Sequence, residues 1–134
     1  MTLSAAIAKI QAHAIAVGMA EAPTYPLESQ EVYPFAIAYD RRGNLIQESA
    51  GWGIDMCTVV CEMHFINQYL PLAVTKAMTY RESFIKRIIS DPTLGGTVTT
   101  INGLRYEFGK LGDDESADLG YKWEFDIKTV LDGS

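Results

Sequence analysis

The sequence predicts an α+β domain: a mainly antiparallel sheet of about four to five strands with two α-helices packed on one face, and long projecting hairpin loops. The expected order is α-β-β-β-α-β-β. Three stretches carry that expectation. Residues 71–98, PLAVTKAMTYRESFIKRIISDPTLGGTV, read as one long amphipathic helix opened by Pro71, stopped at Asp91-Pro92 and turned by Gly95-Gly96 into a strand. Near the other end of the chain, Tyr121, Trp123, Phe125 and Ile127 alternate with Lys122, Glu124, Asp126 and Lys128, the pattern of a strand with one apolar and one wet face. Leu3 to Val17 has helical spacing, with Leu3, Ile7, Ile10, Ala14 and Val17 as the inward stripe and Gly18 as its stop.

The elements between follow in order. On the first helix, His13 is expected opposite the stripe, exposed to solvent. Met19 to Pro34, with Pro23, Pro26 and Pro34 and no period, reads as an extended connection that Tyr25, Leu27, Val32 and Tyr33 could anchor. Phe35 to Asp40 alternates as a strand, Arg41-Arg42-Gly43-Asn44 reads as a turn, and Leu45 to Glu48 as its returning arm. Ser49 to Gly53 is a glycine-bearing break. A long strand then covers Gly53 to Ile66, with Cys57, Val59, Cys61, Met63 and Phe65 on one face and Thr58, Val60, Glu62 and His64 on the other. In the second helix, Ala73, Ala77, Tyr80, Phe84 and Ile88, with Val74, Met78, Ile85 and Ile89, form a wide apolar stripe. Phe84, Ile85, Ile88 and the following Leu94 are expected in the core, while Lys76, Glu82, Lys86 and Arg87 make a mostly basic outer face. Thr97 to Phe108 is a strand interrupted at Asn102-Gly103, and Gly109 to Gly120 is an acidic loop carrying Asp113, Asp114, Glu115 and Asp118.

Composition narrows the function. The 134 residues are read as one domain, 1–134, with a net charge of −6. An acidic chain is a poor match for nucleic acid held through its phosphates and for an anionic membrane face. No run of about 18 apolar residues offers a membrane span. The N-terminal apolar run lacks a preceding positive residue and is broken by Lys9, Gln11 and His13, which argues against a signal peptide. Cys57 and Cys61 lie four residues apart on one strand, about 13 Å between Cα atoms, so they are expected as free, buried thiols of a cytosolic protein.

No catalytic constellation is legible. Glu62 and His64 share a strand face but supply two metal ligands where a site needs three or four. Cys57 has no histidine on its face to activate it. No serine sits in a Gly-x-Ser-x-Gly elbow, and Gly95-Gly96 lacks the lysine of a phosphate loop. The acidic stretch lacks the ligand spacing of a calcium loop. The expectation is therefore no enzyme, no cofactor and no metal. What remains is shape. A compact chain of this length is about 36 Å across, whereas a flat fourteen-residue strand runs about 46 Å. The strand from Gly53 either curves or projects, and a projecting hairpin suits contact with a neighbouring subunit.

The order of these features resembles one known family, the tail terminator (tail completion) proteins of long-tailed bacteriophages. The resemblance spans nearly the whole chain: an N-terminal helix, a proline-bearing connection into VYPFAIAYD, a glycine-rich break, a long strand, a helix, the turn DPTLGGTV, and the terminal strand GYKWEFDIKTVL. It implies a ring, six-membered in that family, at the head-proximal end of the tail tube in the virion, assembled in the host cytoplasm. Such a ring stops tube polymerisation, meets the head–tail connector protein and lets DNA pass through its lumen without specific binding. On that implication the partners are further copies of the chain, the tail tube protein and the connector protein. The interface candidates are Arg41, Arg42, Asn44, Trp52, Lys76, Lys86 and Arg87, with Asp113, Asp114, Glu115 and Asp118 near the lumen or the tube face. Two other readings stay open: a head–tail joining (neck) protein of the same architecture, and a monomeric α+β domain that binds a small ligand on the apolar face of its sheet.

Overall fold

The computed structural model describes residues 3–19, 34–49, 51–66, 71–112 and 118–132. Its elements are α1 (Leu3–Ala16), β1 (Phe35–Ser49), β2 (Trp52–Ile66), α2 (Pro71–Ile89), β3 (Thr100–Lys110) and β4 (Leu119–Asp132). The strands form one antiparallel sheet in the spatial order β1-β2-β4-β3. The α+β class is as the sequence predicts. The strand count resolves to four, because the two segments expected before the long strand are one.

That difference has a physical cause. Arg41-Arg42-Gly43-Asn44 has turn composition, yet it stays extended and pairs with Thr58, Cys57 and Met56 of β2. A bulge between Asp40 and Arg42 absorbs one residue, and the chain reverses only between Ser49 and Trp52, where Gly51 has φ 91°. Pairing along the whole length of β2 outweighs the local preference. A similar bulge, between Ile101 and Gly103, carries β3 through Asn102-Gly103 without ending it.

Both helices lie over one face of the sheet. From α1, Ala6, Ile7, Ile10 and Ala14 pack on Ala36 and Ala38 of β1, where small side chains permit a close approach. From α2, Ala77, Phe84 and Ile88 reach the aromatic centre of β4. Phe84 lies 4.9 Å from Trp123 and meets Phe125 edge-on at 6.1 Å; each such pair adds about 0.5–1.5 kcal/mol to plain burial. Trp123, Phe125, Ile127 and Leu94 are fully buried. The expected α2 stripe is narrower than its sequence suggests, since Met78 and Ile89 are exposed. His13 corrects the expectation more sharply. It is buried and faces α2, in line with Ala6 and Ile10 at helical spacing. Its Nε2 lies 2.7 Å from Asp91 Oδ2, and its Nδ1 accepts from Arg87 Nε at 3.2 Å.

Asp91 thereby joins α1 to the turn that follows α2. Its other oxygen accepts from Gly95 N at 2.7 Å, and Pro92 O accepts from Ile101 N at 3.0 Å. Leu94, Gly95 and Gly96 have φ of 48°, 70° and 82°, a left-handed run that drops Leu94 into the core. The connection between α1 and β1 that Tyr25, Leu27, Val32 and Tyr33 were expected to anchor lies outside the described residues, apart from its ends.

Candidate functional site

The long β1–β2 hairpin and the strand beside it set the geometry. Each hairpin strand has fifteen residues, about 50 Å if fully extended. The helices cover Ala36, Ala38, Val59, Cys61 and Met63, whereas every residue from Arg41 to Gln47 is exposed. The distal half is therefore an arm of β1, β2 and the end of β4. On its open side, Ile46, Ile54 and Val130 stand in one cross-strand row beside Trp52. Leu45 and Leu131 lie on the opposite side. Trp52 is 43 % exposed and Leu45 63 %, so apolar side chains project from both faces of the arm. Scattered exposed apolar residues are ordinary; a contiguous set on both faces of one projection marks an interaction surface.

Nearer the helices, the open face of the sheet carries a polar network. Arg41 reaches across β2 to Glu124, whose carboxylate also accepts from Arg105 Nη2 at 3.1 Å. Arg105 pairs in addition with Asp126, and Thr58 donates to Asp126 at 3.0 Å. These long side chains roof Val60, which stands between Tyr39 and Glu124 in the ladder and is fully buried on a face with no helix over it. The Arg105 guanidinium holds the Asp126 carboxyl below its ordinary range, with the Thr58 hydroxyl helping.

A second chain of polar groups runs along the same face. Tyr39 donates to Glu62 Oε2, Glu62 Oε1 lies 3.0 Å from His64 Nε2, and His64 Nδ1 lies 2.8 Å from Asp118 Oδ2. Both contacts of the imidazole are hydrogen bonds at once only when both ring nitrogens carry protons. The ring stacks on Phe35, 4.5 Å away and within 9° of parallel. The carboxylates sit on opposite sides of the ring and do not converge on a point a metal could occupy. Among the described residues no group of three or more His, Cys, Asp or Glu is placed to hold one. Burial pushes the Glu62 carboxyl upward, but the His64 and Tyr39 hydrogen bonds outweigh it, so its affinity for a proton is lowered on folding.

A pH dependence follows from that sign. A carboxylate whose pKa falls on folding stabilises the fold above its ordinary value, 4.5 for Glu62, and that stability is lost as pH drops through the lower folded value. Urea midpoints measured between pH 6 and roughly pH 3 should fall. The fall should be shallower in Glu62→Gln, while an unchanged slope in that variant would remove Glu62 from the explanation.

The residues expected at interfaces are placed as follows. Arg41 is held inside the chain by Glu124, whereas Arg42 and Asn44 are exposed on β1 opposite Thr58 and Met56. Trp52 opens β2 at the tip of the arm. Lys86 is exposed in the last turn of α2, and Arg87 is turned back to His13. Lys76 belongs to α2, and its side chain lies outside the described residues, as do Asp113, Asp114 and Glu115 entirely. Asp118 sits at the foot of β4, where it bonds His64. The arrangement therefore brings Arg41 into the polar network and Trp52 to the arm tip, without gathering the candidates into one patch. Sequence reading missed Glu124, Asp126 and Tyr39 as partners, because such pairs depend on which strands become neighbours.

Cys57 and Cys61 are free and buried, as expected. Burial, with nearby acids, pushes their thiols up to about 11 and about 12, so neither is a ready nucleophile. Among the described residues no helix is long and apolar enough to cross a membrane. No family model matches the chain, and no curated protein matches it.

Proposed function

We propose that this chain is a structural ring protein that acts as a tail terminator of a long-tailed bacteriophage. Six copies close on the head-proximal end of the tail tube, stop its growth and offer a surface to the connector, with DNA passing through the lumen. No catalytic step is involved. The supporting observation is the pair of sheet edges. Strand direction alternates through β1, β2, β4 and β3, so the two outer strands run opposite ways. Neither has a sheet neighbour on its outer side among the described residues. The β3 edge of one copy can therefore meet the β1 edge of the next in antiparallel fashion, and repetition by rotation gives a closed head-to-tail ring. Exposed edges of this length call for cover, and the arm with two apolar faces adds a second surface that the described residues leave open.

The order and spacing shared with the tail terminator family supply the copy number and the position in the virion. The charge of −6 per copy suits a channel that DNA traverses without sticking. Size exclusion with light scattering, followed by negative-stain microscopy, should reveal a hexameric ring that caps tubes of the tail tube protein. A species that stays monomeric at high concentration with tube protein present would overturn the reading. Rings that bind the connector but never the tube would instead identify a neck protein.

A further inference from the structure

Most charged side chains on the open face of the sheet are partnered: Arg41 and Arg105 with Glu124 and Asp126, and Glu62 and Asp118 with His64. Two on the outer strands are held more loosely: Arg42 acts on Asp126 only at longer range, and Glu107 stands across the ladder from Lys122 without an ion pair. Arg42 on β1 and Glu107 on β3 are exposed, and neither forms an ion pair among the described residues. They share the open face, because Arg42 pairs with Thr58, Glu107 with Lys122, and Thr58 and Lys122 flank Asp126 and Glu62 on that side. On the helix-covered face the signs are reversed. Asp40, opposite Val59, leaves an acid on β1, and Lys110, opposite Leu119, leaves a base on β3. Each edge thus complements the other on both faces.

We propose that Arg42 and Glu107 form the pair that fixes the register between neighbouring copies, with β3 of one subunit laid antiparallel on β1 of the next. This rests on the ring reading and specifies its contact. The register that sets Arg42 opposite Glu107 also sets Gly43 opposite Tyr106 on the helix side, where a glycine leaves room for a ring that is 44 % exposed in the single chain. In the same register Leu45 meets Leu104. The bulge at Asp40/Arg42 completes the match. It compresses that step to one sheet position, which turns Asp40 to the helix side and places it diagonally across from Lys110. The partner is a second copy of this chain, selected by charge complementarity on two faces and by side-chain size between them. Pairing of β1 with another β1 in the register that sets residue 42 opposite itself would instead bring two like charges together.

Charge exchange tests this directly. Three variants are made: R42E, E107R and the double variant R42E/E107R. All are surface changes, so circular dichroism should match the wild type, while E107R, which sets an arginine opposite Lys122, should melt slightly lower. Sedimentation velocity across a concentration series gives the midpoint of assembly. Each single variant should raise that midpoint at least about tenfold, because like charges then stand side by side. The double variant should return to within about threefold of the wild type. A wild type that assembles while both single variants assemble equally well overturns the pairing and leaves the ring reading standing. Single variants that fail without recovery in the double variant also overturn it, since the two charges then act separately. A monomeric wild type overturns the pairing and the ring together.

Discussion

Gly120→Ala is expected to cost the fold more than any other single methyl group considered. A Cβ at this position would stand 1.7 Å from the carbonyl oxygen of Met63 and 2.8 Å from its carbonyl carbon. The obstacle is the backbone of β2, so no side-chain rotation relieves it. The strands must part beside the irregularity between His64 and Ile66. That separation would also disturb His64, which ties β2 to Asp118 at the foot of β4. A loss of about 3 kcal/mol or more is expected, in the range of severe overpacking. Gly109 is the matched control: it pairs with Gly120 across the ladder, and a Cβ there meets nothing within 4 Å. Urea unfolding should therefore show a large drop in midpoint for Gly120→Ala and little change for Gly109→Ala. Equal midpoints for the two variants would mean that the close approach is not maintained in solution.

The second large effect concerns the arm. The double variant Ile46→Ser/Trp52→Ser should abolish the proposed ring while leaving the single chain folded. Both side chains are more than two fifths exposed, on a part of the sheet that no helix covers. Their removal takes little from the core, and a change in stability of about 1 kcal/mol or less is expected. In an assembled interface the same groups would be desolvated. Truncating a central aromatic anchor there typically costs 2 kcal/mol or more, which is roughly thirtyfold in affinity. Ring formation at unchanged concentration by a well-folded double variant would show that the arm tip is not an anchor.

How far the sequence disclosed this structure depends on the distance over which each feature is decided. The terminal strand was legible because Tyr121 to Lys128 alternate without a break, and burial follows that alternation residue by residue. The end of α2 was legible because Asp91-Pro92 and Gly95-Gly96 act within one turn of chain. Arg41 to Asn44 misled for the converse reason: local composition favoured a turn, and the decision belonged to β2, some fifteen residues further on. His13 misled because a polar side chain was taken to face water, although Ala6 and Ile10 already put it on the buried line. The polar network was half visible. Glu62 and His64 sharing a face follows from strand periodicity, but Asp118 lies 54 residues beyond His64, and no local pattern joins them. The leftover charges at the two edges could not be recognised until their neighbours were known to be taken.

The spatial order β1-β2-β4-β3 also governs when the molecule can become itself. Of the described elements, β4 comes last in the chain, yet it lies inside the sheet between β2 and β3. During synthesis the β1–β2 hairpin and α2 emerge while the inner edge of β2 is still bare, and β3 has nothing to lie against. The contacts that close the sheet join β2 to a segment about fifty to eighty residues later, which are slow to form and leave sticky intermediates meanwhile. Only the arrival of β4 supports β3, and only then does one molecule display both outer strands. On the ring reading, a nascent chain lacking β4 has no supported β3 edge to offer a neighbour, so the layout of the fold delays association until β4 is in place.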